Sequence, residues 1–191
     1  MQRIGVMGAS FNPPTLGHAS VIRQAYHDFD DILLVPSLLH AFQKSLAPIQ
    51  HRLAMLNLLI ENELRQDEKK HVRIDNIEPD LLLLHPDRPF IYTFDVLSAI
   101  EDRYQKQNKE VSIQFIVGPD LALPAVWQRF YRFAEIEQRW SLYVVKEIVA
   151  IHSTMARATK QQKLLATLVG ESIATYILQH HLYNDGENVN E

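Results

Sequence analysis

The sequence predicts an α/β fold with a central parallel sheet that is covered by helices on both faces. Short apolar runs typical of buried strands alternate with longer segments that carry apolar residues at helical spacing. The chain has 191 residues, 47% of them hydrophobic, which suits one domain with a substantial core. We find no internal repeat or long linker, so we expect one domain over residues 1–183 and a disordered tail over 184–191.

Five short apolar runs predict the strands of this sheet. They are RIGVM (3–7), DILLVP (31–36), VRIDNIE (72–78), VSIQFIVG (111–118) and SLYVV (141–145), and IVAI (148–151) is a further candidate. Helical spacing predicts helices over 16–29, 48–64, 94–107 and 153–181, the last broken near Gly170. Pro48 stands where proline is favoured, in the first turn of a helix.

Composition and charge exclude several classes of protein. Nineteen Lys and Arg residues against 23 Asp and Glu give a net charge of −4, so no global basic field favours nonspecific binding of nucleic acid. The absence of cysteine excludes disulfides, thiolate metal sites and thiol nucleophiles. No apolar run approaches the ~20 residues of a membrane helix, and no signal peptide is evident. We therefore expect a cytoplasmic protein that binds neither nucleic acid nor a membrane.

Three predicted strands are followed by unusual sequences, in segments 8–18, 36–44 and 118–120. Ligands of open parallel sheets bind beyond the carboxyl ends of the strands. We therefore expect a binding site that is built from these three ends.

The first of these segments, GASFNPPTLGH, carries no Asp, Glu, Lys or Arg. Gly8 permits a tight turn or the close approach of a ligand, and Pro13 and Pro14 stiffen the loop. Thr15 suits a helix N-cap, and His18 lies on the same side one turn later. Because a helix N-terminus favours phosphate, Thr15 and His18 are candidates for a phosphate site. The alternative is that Thr15 only caps the helix and that His18 packs or faces solvent.

Two motifs at opposite ends of the chain resemble those of the nucleotidyltransferase superfamily. GASFNPPTLGH (8–18) is similar to GxFxPxHxGH, and IHSTMAR (151–157) is similar to ISSTxxR. HRLAML (51–56), IYTFDVL (91–97), FIVGPDLALPAVW (115–127) and YILQHHLY (176–183) resemble, in this order, segments of bacterial nicotinate-nucleotide adenylyltransferases. The resemblance implies a Rossmann-like nucleotidyltransferase fold. It also implies transfer of AMP from ATP to nicotinate mononucleotide, giving deamido-NAD and pyrophosphate in NAD biosynthesis.

The sequence departs from the family pattern at three places. Thr15 stands where the first motif has a histidine. The segment between LYVV and IHST is shorter than in the family. VPSLLHAFQK (35–44) replaces a Pro-Pro-His-Lys loop; Lys44 aligns with its lysine, and whether His40 substitutes for its histidine is left open.

The resemblance also implies roles for individual residues. The catalytic set is His18, Thr15, Lys44 and Arg157. The ATP-binding set is Gly8, Ala9, Ser10, Phe11, Gly118, Asp120, Ser153 and Thr154. The mononucleotide-binding set is Arg52, Thr93 and Trp127, with Trp127 stacked on the pyridine ring. Structural alternatives stand beside some of these roles: Arg52 as a helix-surface charge, Trp127 as a core side chain, and Asp120 and Ser153 as helix N-caps.

The implied substrates are ATP and a pyridine mononucleotide, and a homo-oligomer is left open. Mg²⁺ would be held mainly by the ATP phosphates, so no protein metal site is expected. Two alternative functions also remain. One is the same chemistry on nicotinamide mononucleotide or another phosphate acceptor such as phosphopantetheine. The other is a non-catalytic member that binds adenine nucleotides as a sensor.

Overall fold

Five parallel strands form one sheet in the computed structural model, which describes residues 1–39, 46–146, 149–159 and 161–183. The strands are β1 (Gln2–Ala9), β2 (Asp31–Pro36), β3 (Val72–Ile74), β4 (Val111–Val117) and β5 (Leu142–Val144). Their order across the sheet is β3-β2-β1-β4-β5, and every neighbouring pair is parallel. The strand order therefore reverses between β1 and β4, as it does in doubly wound nucleotide-binding folds.

Ten helices accompany these strands within the described ranges. They are α1 (Leu16–Ala25), α2 (Ile49–Glu63), α3 (Gln66–Lys69), α4 (Glu78–Leu84), α5 (Thr93–Lys106), α6 (Pro124–Trp127), α7 (Phe133–Arg139), α8 (Ser153–Ala158), α9 (Gln162–Val169) and α10 (Glu171–Gln179). None of the described helices is long and apolar enough to span a bilayer.

The sheet carries a separate hydrophobic core on each face, because side chains alternate along every strand. Ile32 and Leu34 of β2 belong to the core beneath α1, α2, α9 and α10. Leu33 and Val35 of the same strand belong to the opposite core, beneath α4, α5, α6 and α7. This two-sided burial confirms the predicted α/β fold with helices on both faces, and the strand order confirms the Rossmann-like arrangement.

Several predicted element bounds require correction. The helix predicted over 16–29 ends at Ala25, because Tyr26 and Phe29 continue the buried apolar pattern from a turn rather than from the helix. The strand predicted over 72–78 stops at Ile74, and Glu78 already begins α4. Of the candidate strand 148–151, the described residues 149–151 are not in a strand. Gly8 lies inside β1, paired with Val35, so it makes no turn.

Candidate active site

A cavity of about 220 Å³ lies beyond the carboxyl ends of β1 and β4, where the strand order reverses. Its walls come from the ends of these two strands, the inner face of α1, residues 145–146 and residues 149–153. The predicted segments 8–18 and 118–120 both contribute residues to these walls. The predicted site residues that line the cavity are Gly8, Ala9, His18, Gly118, Asp120 and Ser153.

The chain turns out of β1 through Phe11 rather than through a glycine. Phe11 has a φ of 45°, in the left-handed region that residues other than glycine rarely occupy. Its fully buried ring fixes this conformation and packs against the His18 ring at a centroid distance of 5.0 Å. Strained backbone of this kind is held in place by its surroundings, so the loop between β1 and α1 has a defined shape.

His18 is held as a neutral imidazole with a defined tautomer. The backbone N–H of Thr15 donates to His18 Nδ1 at 3.0 Å. Since an N–H group can only donate, Nδ1 accepts and the ring proton of the neutral form lies on Nε2. Burial, and to a lesser extent the charge of nearby His152, lower the pKa of His18 from 6.5 to about 4. At neutral pH this ring in the cavity wall is a hydrogen-bond donor without a positive charge.

Thr15 caps α1 as predicted, but its side chain lies behind His18 rather than in the cavity wall. Its hydroxyl lies 2.9 Å from His18 Nδ1 and 3.4 Å from the Ile151 carbonyl oxygen, so its single proton is shared between these two acceptors, and the residue has no exposed surface. The structure therefore corrects the expectation that Thr15 contacts phosphate, since both its polar groups are occupied within the protein. Thr15 orients the imidazole instead.

Helix α1 packs closely on the segment before α8, and this packing shapes the part of the cavity wall that contains His18 and His152. A Cβ atom on Gly17 would lie 2.3 Å from the carbonyl oxygen of Ile151. No side chain fits in that space, so Gly17 permits the approach that brings His18 and His152 to one cavity.

The second motif ties its helix to the first loop. Ser153 Oγ donates to the Pro13 carbonyl at 2.7 Å. Arg157 donates from Nη1 to the Asn12 carbonyl at 2.6 Å and from Nη2 to Thr154 Oγ1 at 3.2 Å. Neither Thr154 nor Arg157 lines the cavity, so in this structure the Arg157 fork holds the loop.

Ser153 and Asp120 are not helix N-caps, so the structural alternatives given for these two residues are wrong. The N-cap of α8 is His152, and Ser153 is the first helical residue. No described helix begins beside Asp120, because the next helix has Leu123 as its N-cap. The Asp120 carboxylate instead folds back over Gly118, where a Cβ atom would lie 2.7 Å from Oδ1. A glycine at this strand end therefore leaves room for the carboxylate in the cavity wall.

The residues predicted to bind the mononucleotide lie apart from this cavity. Thr93 begins α5. Trp127 is 3% exposed and packs on Phe115 and Phe130. It is therefore a core side chain, which was the alternative to its predicted role in binding the pyridine ring. Its Nε1 has no hydrogen-bond partner among the described residues, and stacking on a pyridine ring stays a prediction.

Arg52 is not a helix-surface charge, and it is not free to bind an anion. It is 1% exposed, and its guanidinium donates to backbone carbonyls alone among the bonds that the structure describes. Lys44 and His40 lie outside the described residues, as does the tail 184–191.

Sequence reasoning missed four polar residues in the cavity wall: Ser20, Gln24, Lys146 and His152. The Gln24 side chain makes two hydrogen bonds to the Lys146 backbone: its Oε1 accepts from the N–H at 3.0 Å, and its Nε2 donates to the carbonyl at 2.9 Å. The signal in the sequence is the helical spacing of Gly17, Ser20 and Gln24, which puts small and polar residues on one face of an otherwise apolar helix.

Comparison with known proteins gives a consistent result. Residues 6–159 match the family model described as cytidylyltransferase-like. A Bacillus licheniformis protein named "Probable nicotinate-nucleotide adenylyltransferase" is 26% identical over 204 residues, covering 96% of this chain and 99% of that protein. A Myxococcus xanthus protein of the same name is 31% identical over 140 residues, which cover 71% of this chain and 65% of that protein.

A solved structure shows the same fold over nearly the whole chain. It is Plasmodium falciparum nicotinic acid mononucleotide adenylyltransferase complexed with NaAD, with a TM-score of 0.76 and 17% sequence identity. The match covers 96% of this chain and 98% of that chain. At this level of identity the likeness concerns the fold alone.

Proposed function

The chain belongs to the cytidylyltransferase-like family, and we propose that it transfers the adenylyl group of ATP to nicotinate mononucleotide. The products are deamido-NAD and pyrophosphate. The observation that carries the proposal is the cavity at the reversal of strand order, with the neutral His18 donor in its wall. The names of the full-length relatives support nicotinate mononucleotide as the acceptor.

The reaction requires charge stabilisation rather than a general base. An oxygen of the mononucleotide phosphate attacks the α-phosphorus of ATP, and the bond from that phosphorus to the bridging oxygen of pyrophosphate breaks. The attacking phosphate is already anionic at neutral pH, so no proton has to be removed. Catalysis therefore consists of positioning the two nucleotides and stabilising the charge that develops on the transferred group.

His18 supplies an oriented donor for that charge. Its Nδ1 is occupied by the Thr15 N–H, which leaves Nε2–H as the group that donates to an α-phosphate oxygen. The N-terminus of α1, a helix of ten residues, adds free N–H groups and the positive end of its dipole. Because His18 is neutral and already oriented, it needs no proton and no reorientation during the reaction.

Some of the remaining predicted residues contact the nucleotides in this proposal, and others hold the loop that follows β1. Gly8, Ala9 and Gly118 let the backbone approach the nucleotide, and Asp120 is placed to bind ribose hydroxyls. Ser10 and Phe11 set the course of the loop, while Ser153, Thr154 and Arg157 hold it in place. Lys146 and His152 also line the cavity, and we assign them to contact with the phosphates because their side chains are basic.

Mg²⁺ enters as part of the ATP substrate. The described residues contain no group of three or more His, Asp or Glu side chains suited to a metal ion. Among the described residues of the cavity wall, Asp120 alone supplies a carboxylate, which fits an ion whose other ligands are phosphate oxygens and water. A cytoplasmic location and a homo-oligomer stay predictions.

An acceptor panel tests the function and separates it from its alternatives. The release of pyrophosphate from ATP is followed with nicotinate mononucleotide, nicotinamide mononucleotide and phosphopantetheine as acceptors. We expect the highest kcat/KM with nicotinate mononucleotide. A higher value with another acceptor would reassign the substrate, and binding of ATP without turnover of any acceptor would indicate a nucleotide sensor.

A further inference from the structure

The chain turns sharply after α10 and returns to the core. His181 has a φ of 51°, in the left-handed region. The N–H groups of His181 and Leu182 donate to the carbonyls of Leu178 at 3.2 Å and Ile177 at 3.0 Å. This is a Schellman motif, in which a left-handed residue ends the helix and the next residue packs back on it. Leu182 belongs to the same core as Ile177, so the residue that follows, Tyr183, has a defined place.

Tyr183 reaches from this end of the chain to the loop between β1 and α1. Its hydroxyl donates to Oδ1 of Asn12 at 2.9 Å. The same oxygen accepts the backbone N–H of Ala47 at 3.0 Å, and Asn12 is 1% exposed. Burial raises the pKa of the Tyr183 hydroxyl, although the charges of Arg157 and Arg52 oppose that rise. The hydroxyl is therefore a neutral donor at neutral pH, and both lone pairs of the Asn12 oxygen are used.

Asn12 is bound through its main chain as well, and it lies close to the group that orients His18. Its carbonyl accepts from Arg157 Nη1 at 2.6 Å. Three residues further along, the N–H of Thr15 donates to His18 Nδ1 and fixes the tautomer of the imidazole. The two residues between these contacts are prolines, whose rings restrict φ. A displacement of Asn12 is therefore passed on to Thr15 rather than absorbed between them.

We propose that Tyr183 is a positioning residue for His18, acting through Asn12 on the loop between β1 and α1. The segment YILQHHLY (176–183) thereby contributes to the site, although Tyr183 does not line the cavity. The inference rests on the proposed function for its effect on the rate. The orientation of His18, in contrast, is a property of the protein without substrates.

Tyr183→Phe removes the hydroxyl and keeps the ring, so the packing of the chain end is retained. We expect kcat for adenylyl transfer to fall about tenfold, the effect of one net hydrogen bond, because a displaced His18 donor stabilises the transition state less well. The KM values for ATP and the acceptor should stay within about twofold. A contact made mainly in the transition state affects kcat rather than KM.

NMR measures the orientation of His18 directly in the full-length protein without substrates. Two-bond ¹H–¹⁵N correlation spectra distinguish the two nitrogens of each imidazole, and the His18 signals are those that vanish in His18→Gln. In the unmodified protein at pH 7 we expect Nδ1 without a proton and Nε2 with one. In Tyr183→Phe both nitrogen signals should move towards the averaged position of two interconverting tautomers.

Tyr26 offers a matched control. It is 5% exposed, its hydroxyl donates to Asp67 Oδ2 at 3.1 Å, and it does not line the cavity. Tyr26→Phe therefore removes a tyrosine hydroxyl of the same kind without touching Asn12. We expect this variant to lose thermal stability while its kcat and its His18 signals remain unchanged.

Unchanged His18 signals in Tyr183→Phe would overturn the proposal, because the loop would then keep its shape without the hydroxyl. An equal displacement of these signals in Tyr26→Phe, or a normal kcat in Tyr183→Phe, would overturn it as well. A merely structural role lowers the melting temperature and leaves the nitrogen signals of the folded protein in place. If the unmodified protein turns over no acceptor, the proposed function fails, while the nitrogen signals still decide whether Tyr183 orients His18.

Discussion

Replacement of His18 by glutamine should make the stability of the protein less sensitive to acid. The pKa of His18 is lowered from 6.5 to about 4 in the folded chain, while the unfolded chain keeps the ordinary value. Between these two pH values the unfolded state binds a proton that the folded state does not, so the free energy of unfolding falls as the pH falls. The stabilisation is present above about pH 6.5 and is lost progressively towards pH 4.

The magnitude follows from the two pKa values. One pKa unit corresponds to about 1.36 kcal/mol, so His18 alone lowers the free energy of unfolding by about 1.8 kcal/mol between pH 7 and pH 5. All other titrating groups are shared by the unmodified protein and His18→Gln, so the difference between their pH profiles isolates this residue. Urea unfolding followed by tryptophan fluorescence at several pH values measures that difference. His181→Gln is the matched control, because His181 is exposed and does not line the cavity.

The same substitution should lower kcat by about 10²–10³, the usual cost of removing one oriented donor from developing charge. Parallel acid dependence of unfolding in the two proteins would show that His18 is not held neutral by the fold. A normal kcat in His18→Gln would reduce the residue to a structural role. The combination expected here, a flatter pH profile of stability with a large loss of kcat, requires both a buried neutral ring and contact with the reacting group.

Substitutions at Thr15, Gly17 and Arg157 test the parts that hold His18 and its loop. Thr15→Asp should lower kcat by about 10²–10³, because a carboxylate beside His18 Nδ1 favours the tautomer that leaves Nε2 without a proton. Thr15→Ser keeps the hydroxyl and should lower kcat much less. Equal steady-state rates in the two variants would contradict this role of Thr15. Gly17→Ala should cost about 1–3 kcal/mol of unfolding free energy, since its Cβ would meet the Ile151 carbonyl, and an unchanged midpoint of denaturation would argue against that close approach. Arg157→Lys keeps the charge but loses the fork that binds Asn12, so calorimetry should show weaker ATP binding, and equal affinity would show that the fork is dispensable.

Local pattern predicted the sheet well because buried strands and amphipathic helices each leave a short-range signal. DILLVP gave the second strand with the bounds Asp31–Pro36 that the structure shows. Short helices such as α6, with four residues, and α7, with seven, were not predicted. Fewer than two full turns give too few apolar repeats to distinguish a helix from a loop.

The site was predicted in part, and the limits have a physical origin. The cavity position and the place of His18 in its wall follow from strand ends and helix caps, which are local. The buried role of Arg52 depends on carbonyls at residues 10, 37, 38 and 47, which only the fold brings together. The tautomer of His18 likewise depends on geometry, because only the position of the Thr15 N–H decides which ring nitrogen carries the proton.

The most direct test of adenylyl transfer follows labelled phosphorus through the reaction. The protein is incubated with nicotinate mononucleotide and with ATP that carries radioactive phosphorus either at the α-phosphate or at the γ-phosphate, and the products are separated by chromatography. Attack on the α-phosphorus predicts that the α-label appears in the dinucleotide and the γ-label in pyrophosphate, with both rates reduced together in His18→Gln. Appearance of the γ-label in the acceptor product, or of the α-label in free AMP alone, would contradict adenylyl transfer by this protein.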